Sequence, residues 1–69
     1  MNIPESLEKA YKATQTKQVN LAAGINVTRS YVSAIERSIK PAPIGFIVKC
    51  ALFFNMKVSE FIALGEGNE

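Results

Sequence analysis

The sequence contains no histidine and no aspartate, and Cys50 is its single cysteine. Without histidine there is no imidazole base for a catalytic triad. One thiol and six Asp+Glu residues, all glutamate, do not make the ligand cluster of a zinc or carboxylate metal site. One cysteine also forms no internal disulfide. With four glycines and three prolines, the composition is neither low-complexity nor disordered. No apolar run approaches the roughly 18 residues of a membrane span, so no membrane association is expected. Met1 to Glu5 does not read as a signal peptide, and a free cysteine fits a cytoplasmic location. The chain shows no nucleophile–base pair, no phosphate loop and no metal cluster, so it does not read as an enzyme. No cofactor and no small-molecule ligand are expected.

What remains is a 69-residue chain that is 48% hydrophobic. That is one small globular unit, 1–69, with 65–69 expected as a flexible tail. A chain of this size buries only about 60% of its unfolded surface, so its core must be efficient. The formal net charge is +2, but the charges are unevenly placed. Residues 1–8 carry Glu5 and Glu8. Residues 9–40 carry Lys9, Lys12, Lys17, Arg29, Arg37 and Lys40 against Glu36 alone, a net +5. Residues 41–69 carry Lys49 and Lys57 against Glu60, Glu66 and Glu69. A localised basic stretch is the footprint of a phosphate-binding surface, or else a solvated helix face.

Hydrophobic spacing predicts five short helices and no strand. Pro4 suits the first turn of a helix running to about Ala13, with Leu7, Ala10 and Tyr11 at helical spacing. Val19, Leu21, Ala22 and Ile25 mark a second helix, closed by Asn26, which tolerates a left-handed backbone. Thr28 is an N-cap for a third helix. Val32, Ile35 and Ile39 share one of its faces, and Arg29, Ser33 and Arg37 another. Pro41 and Pro43 stop it. Ile44, Ile47, Cys50, Ala51 and Phe54 predict a fourth, apolar helix ending at Asn55, in which Cys50 is a small core hydrophobe. Val58, Phe61, Ile62 and Leu64 predict a fifth.

Gln18 to Arg37 carries the functional signal. Two helices joined by a tight turn need a small residue where they cross, a left-handed residue in the turn and apolar residues in the angle. Ala22 and Asn26 meet the first two needs; Leu21, Ile25, Val27, Val32 and Ile35 meet the third. The outer face of the later helix stays free of bulky apolar groups, with Arg29, Ser30, Ser33, Ala34 and Arg37.

These elements resemble the Cro/repressor-type helix-turn-helix regulators, the XRE family. The family pattern Thr-Gln, Leu-Ala, Gly-Val-Ser, apolar-Ser, Ile-Glu-Arg-Gly reads here as Lys17-Gln18, Leu21-Ala22, Asn26-Val27-Thr28, Val32-Ser33 and Ile35-Glu36-Arg37-Ser38. The closing element reads Cys50-Ala51-Leu52-Phe53-Phe54-Asn55-Met56-Lys57. The stretch from Arg29 to Arg37 is similar to restriction–modification controllers and other small repressors. The resemblance covers about residues 4–64. It implies an all-α, lambda-repressor-like bundle with its helix-turn-helix at about residues 18–37. It also implies a recognition helix, about Thr28 to Ser38, in the major groove of double-stranded DNA.

On that resemblance Arg29 is the candidate for bidentate guanine readout or for a phosphate contact. Ser30, Ser33 and Ala34 are further base-contact candidates. Gln18 matches the position that anchors a phosphate at the start of the second helix. Thr28, Arg37 and Lys40 are backbone candidates. Tyr31 is a backbone or thymine contact, or a half-buried packing residue. The family often places an arginine opposite the motif glutamate. Tyr11 stands there in this chain, so Glu36 is expected to pair with the Tyr11 hydroxyl or with Lys12. Lys17 and Lys57 stand where a Ser or Thr cap is usual, leaving Thr16 as a possible cap for the second helix. Gly45, at the start of the fourth helix, suits either a phosphate contact or close packing.

Leu52 and Phe53 stand where the family has polar or small residues. With Phe46, Val58, Ile62 and Leu64 they give the C-terminal half more apolar surface than a small core needs. In the resembling family this region forms a two-fold contact, which makes Leu52, Val58, Ile62 and Leu64 the expected homodimer interface; a richer monomer core is the other reading. The functional expectation is a transcriptional regulator, repressor or activator, on a near-palindromic operator. The alternative is an interaction module, such as an antitoxin holding a partner protein with its apolar C-terminal face.

Overall fold

Asn2 starts the first helix by accepting the Glu5 amide on its side chain at 3.1 Å, with proline in the first turn. The computed structural model describes residues 2–66. It contains five helices: α1 (Ile3–Thr14), α2 (Gln18–Gly24), α3 (Arg29–Glu36), α4 (Ile44–Phe53) and α5 (Val58–Leu64). No strand occurs among the described residues, so the all-α architecture is as expected.

Thr28 caps α3, its hydroxyl accepting the Tyr31 amide at 3.0 Å. At α5 the cap is reversed. Lys57 has no acceptor to offer, and Glu60 reaches back to the Lys57 amide at 2.9 Å. Thr16 does not cap α2; its hydroxyl bonds to Thr14 at 2.7 Å, and Lys17 is an N-cap without a side-chain bond. Four chain reversals use left-handed residues that are not glycine: Gln15 (φ 54°), Asn26 (φ 64°), Ser38 (φ 61°) and Asn55 (φ 59°). Asn26 and Asn55 were legible as stops. Ser38 was not, and α3 ends at Glu36, three residues before the Ile39 that the spacing includes. Ile39 is therefore off the helix and 65% exposed, not on the core face. Ile44, at the very start of α4, is likewise 69% exposed.

The core is Ile3, Leu7, Ala10, Leu21, Ala22, Ile25, Val32, Ile35, Phe46, Ile47, Cys50, Ala51, Phe54 and Phe61. Phe46 thus belongs to the interior and not to a surplus apolar face. α1 packs on α3 and α5, α2 on α3 and α4, and α4 on α5. The Phe61 ring stacks on Phe54 at 6.1 Å, and the Tyr11 ring meets Phe54 edge-on at 6.0 Å.

Gly65, placed in the tail by sequence, is buried where α5 ends against the start of α1; residues 67–69 lie outside the described residues. A Cβ at Gly65 would overlap the Asn2 carbonyl oxygen and the Ser6 hydroxyl. The first is backbone, and it accepts the Ser6 amide at 3.0 Å, so it has little freedom to retreat. Gly65→Ala is expected to destabilise the fold by about 1–3 kcal/mol, as overpacking does. Urea unfolding checks this through a lower midpoint at unchanged m.

Cys50 is fully buried. Burial, then the Glu36 carboxylate, push its thiol from an ordinary 9.0 up to about 12. The folded state therefore holds this proton more tightly than the unfolded chain. The resulting stability is complete below pH 9.0 and fades as pH rises toward 12. Tyr11 adds the same sign above 10.0, raised by burial first and by the Glu36 hydrogen bond and charge next. Thermal melts should be level up to about pH 8 and fall above pH 9. Cys50→Ala should delay the onset of that fall, whereas an unchanged onset would remove Cys50 as its source.

Candidate nucleic-acid interface

The turn between α2 and α3 is closed by the Val27 amide on the Ala22 carbonyl at 2.9 Å. Asn26 takes the left-handed geometry there. Leu21, Ala22 and Ile25 of α2 are buried in the same core as Val32 and Ile35 of α3. With those residues inward, the other face of α3 points out.

Gln18, Arg29, Ser30, Ser33, Ala34, Arg37 and Ile39 line a single open groove. All four base-contact candidates stand together in it, with two of the backbone candidates, Gln18 and Arg37. Arg29, Ser30 and Arg37 are exposed, while Ser33, Ala34 and Gln18 are half-buried. The remaining backbone candidates, Thr28, Tyr31 and Lys40, do not line this groove. Tyr31 is half-buried, its ring edge-on to Phe46 at 5.8 Å, and Lys40 lies over that ring at 5.6 Å. The packing reading of Tyr31 is the one its surroundings fit. Thr28 uses its oxygen as the α3 cap, which leaves its hydroxyl hydrogen to donate elsewhere.

Charge in the basic segment is now divided. Lys9 pairs with Glu5 at 3.2 Å and Lys12 with Glu8 at 3.5 Å, so both lysines of α1 are partly neutralised. Among the described residues, neither Arg29 nor Arg37 has a carboxylate within ion-pair distance. A guanidinium carries five donors in a planar fork suited to paired acceptors, whether phosphate oxygens or a guanine edge.

Glu36 closes α3 just behind the groove. It accepts the Tyr11 hydroxyl at 2.5 Å, the partner expected in place of arginine. Lys12 is paired with Glu8 instead. A second donor was not foreseen: the Gln18 side-chain amide gives its N–H to Glu36 at 2.8 Å. No sequence spacing announces a contact between residues so far apart in different helices.

Beyond its geometry, the chain carries the helix-turn-helix family pattern over residues 7–61. The chain belongs to the Cro/C1-type helix-turn-helix family. No curated protein matches it. The matched span contains every residue of the groove, and as a member of the Cro/C1-type family the chain is a DNA-binding helix-turn-helix regulator.

The four dimer candidates are not equivalent. Leu52 is 72% exposed and lines a groove with Gly24, Ile25, Asn26, Lys49 and Phe53. Val58, Ile62 and Leu64 are half-buried against the core, and none of them lines that groove. Sequence reasoning found Leu52 but missed Ile44 and Val48, which are also exposed and stand with it four residues apart on α4. It also missed Ile39 in the recognition groove. The serine in the glycine position of the motif, Ser38, was the available signal that α3 ends before Ile39. No helix among the described residues is long and apolar enough to cross a membrane.

Proposed function

We propose that this chain is a sequence-specific transcriptional regulator that binds a near-palindromic operator as a homodimer. The observation that carries this reading is the groove itself. It gathers two guanidiniums, two hydroxyl residues and Ala34 along α3 and its C-cap, with Gln18 beside them. α3 enters the major groove, where Arg29 reads a guanine edge and Ser30, Ser33 and Ala34 meet neighbouring bases. Gln18, Thr28, Arg37 and Lys40 meet the sugar–phosphate backbone and set register. Two such helices about one DNA turn apart, roughly 34 Å, require a two-fold pair of chains.

Support for pairing is the apolar surface left open on the C-terminal half. Leu52 is its most exposed member, and Val58, Ile62 and Leu64 contribute their outer edges. The same surface would serve the second reading, an antitoxin-like module holding a partner protein. Sedimentation of the purified chain across a concentration series, alone and with DNA, separates the two. A reversible dimer that binds DNA supports the regulator. A monomer at high concentration with DNA present contradicts the dimer. A stable heteromeric complex with only non-specific DNA binding favours the module.

A further inference from the structure

Glu36 has an unusual set of partners for a carboxylate at the edge of a basic surface. Both of its oxygens accept from neutral donors, the Tyr11 hydroxyl at 2.5 Å and the Gln18 amide at 2.8 Å. Among the described residues no lysine or arginine lies within ion-pair distance of it. The three groups come from α1, α2 and α3, so the network forms only once those helices have packed. Tyr11 is itself fixed, half-buried with its ring against Phe54.

A glutamine amide standing alone offers its N–H face or its oxygen face with almost equal ease. A carboxylate accepts only, so it selects one of the two. With one N–H taken by Glu36, the Gln18 amide keeps one further N–H and its carbonyl oxygen. We propose that Glu36, held by Tyr11, is a positioning residue that locks the Gln18 amide in the groove with its remaining N–H ready for a DNA phosphate oxygen. The inference rests on the DNA-binding reading and adds to it a device for ordering a neutral phosphate contact before DNA arrives. Ordering the amide in advance removes a rotamer cost otherwise met on binding. Because Gln18 is uncharged, its contact adds affinity without adding to the salt dependence that Arg37 and Lys40 create.

The test is a double-mutant cycle on Gln18→Ala and Glu36→Gln, run with a mixed-sequence duplex of about three helical turns at low salt. The cycle is needed because removing the Glu36 charge by itself strengthens attraction to DNA, and the cycle cancels that term. In the wild-type background Gln18→Ala should weaken binding about 10- to 100-fold, the worth of one hydrogen bond to a charged group. In the Glu36→Gln background the same change should cost less than about 2-fold. Tyr11→Phe keeps the charge and loosens its holder, so it should lower affinity in the direction of Gln18→Ala with an unchanged salt slope. The side-chain amide resonances of Gln18 give a readout that stability alone does not move. In the free wild type one proton should be shifted downfield and protected from exchange, and both features should collapse in Glu36→Gln. Equal cost of Gln18→Ala in both backgrounds, in a wild type that binds DNA, overturns the positioning role and leaves the regulator reading standing. Absence of DNA binding by the wild type overturns both.

Discussion

Arg29→Ala is expected to abolish the preference for guanine at its base pair while leaving a folded protein that still binds DNA in a salt-sensitive way. Arg29 begins α3, is exposed, has no acidic partner among the described residues, and lines the groove. Its side chain supports nothing in the core, so its removal should leave the unfolding free energy within about 0.5 kcal/mol of wild type. A bidentate guanine contact is worth about 1–3 kcal/mol, and a symmetric dimer loses it twice. Specific affinity should therefore fall about 30-fold or more. Non-specific binding should fall much less, because Arg37 and Lys40 remain as phosphate contacts. Competition titrations with specific and scrambled duplexes measure both. If preference survives while affinity falls uniformly and the salt slope drops by about one, Arg29 is a phosphate contact.

Phe61→Ala is expected to unfold the domain at ordinary temperature. Phe61 is fully buried and stacks on Phe54, at the place where α5 closes over α1 and α4. Truncating a buried phenylalanine costs about 3–5 kcal/mol. A domain this small holds only about 3–5 kcal/mol of net stability. The loss should thus be nearly complete, seen as collapsed helical circular dichroism and loss of DNA binding together. A variant with a cooperative melt near that of wild type would contradict this placement of Phe61.

The sequence announced those parts of the fold whose signals are local. Asn26, Thr28, Asn55 and the prolines punctuate the chain where the helices end or begin. Leu7, Leu21, Val32, Ile35, Ile47 and Phe61 declare the core by helical spacing. The outward face of α3 was legible because bulky apolar residues avoid it. Features that depend on distant partners were not legible. Gly65 is explained only by the Asn2 carbonyl it touches, which lies at the other end of the chain. Gln18 meets Glu36 only because α2 crosses α3 there. Ile39 shares its spacing with Val32 and Ile35, and spacing alone cannot tell that Ser38 has already turned the chain. The surface residues expected to join two copies fall between these classes. Leu52 is plainly exposed, and the other three divide their side chains between core and surface.

The most direct measurement is selection from a randomised duplex library by the wild-type chain, followed by sequencing of the retained DNA. The expected result is one enriched motif with two inverted half-sites about one helical turn apart, each holding a guanine whose enrichment disappears with Arg29→Ala. Retained DNA with no common motif, bound with an affinity set by salt alone, would contradict base reading by the α3 groove.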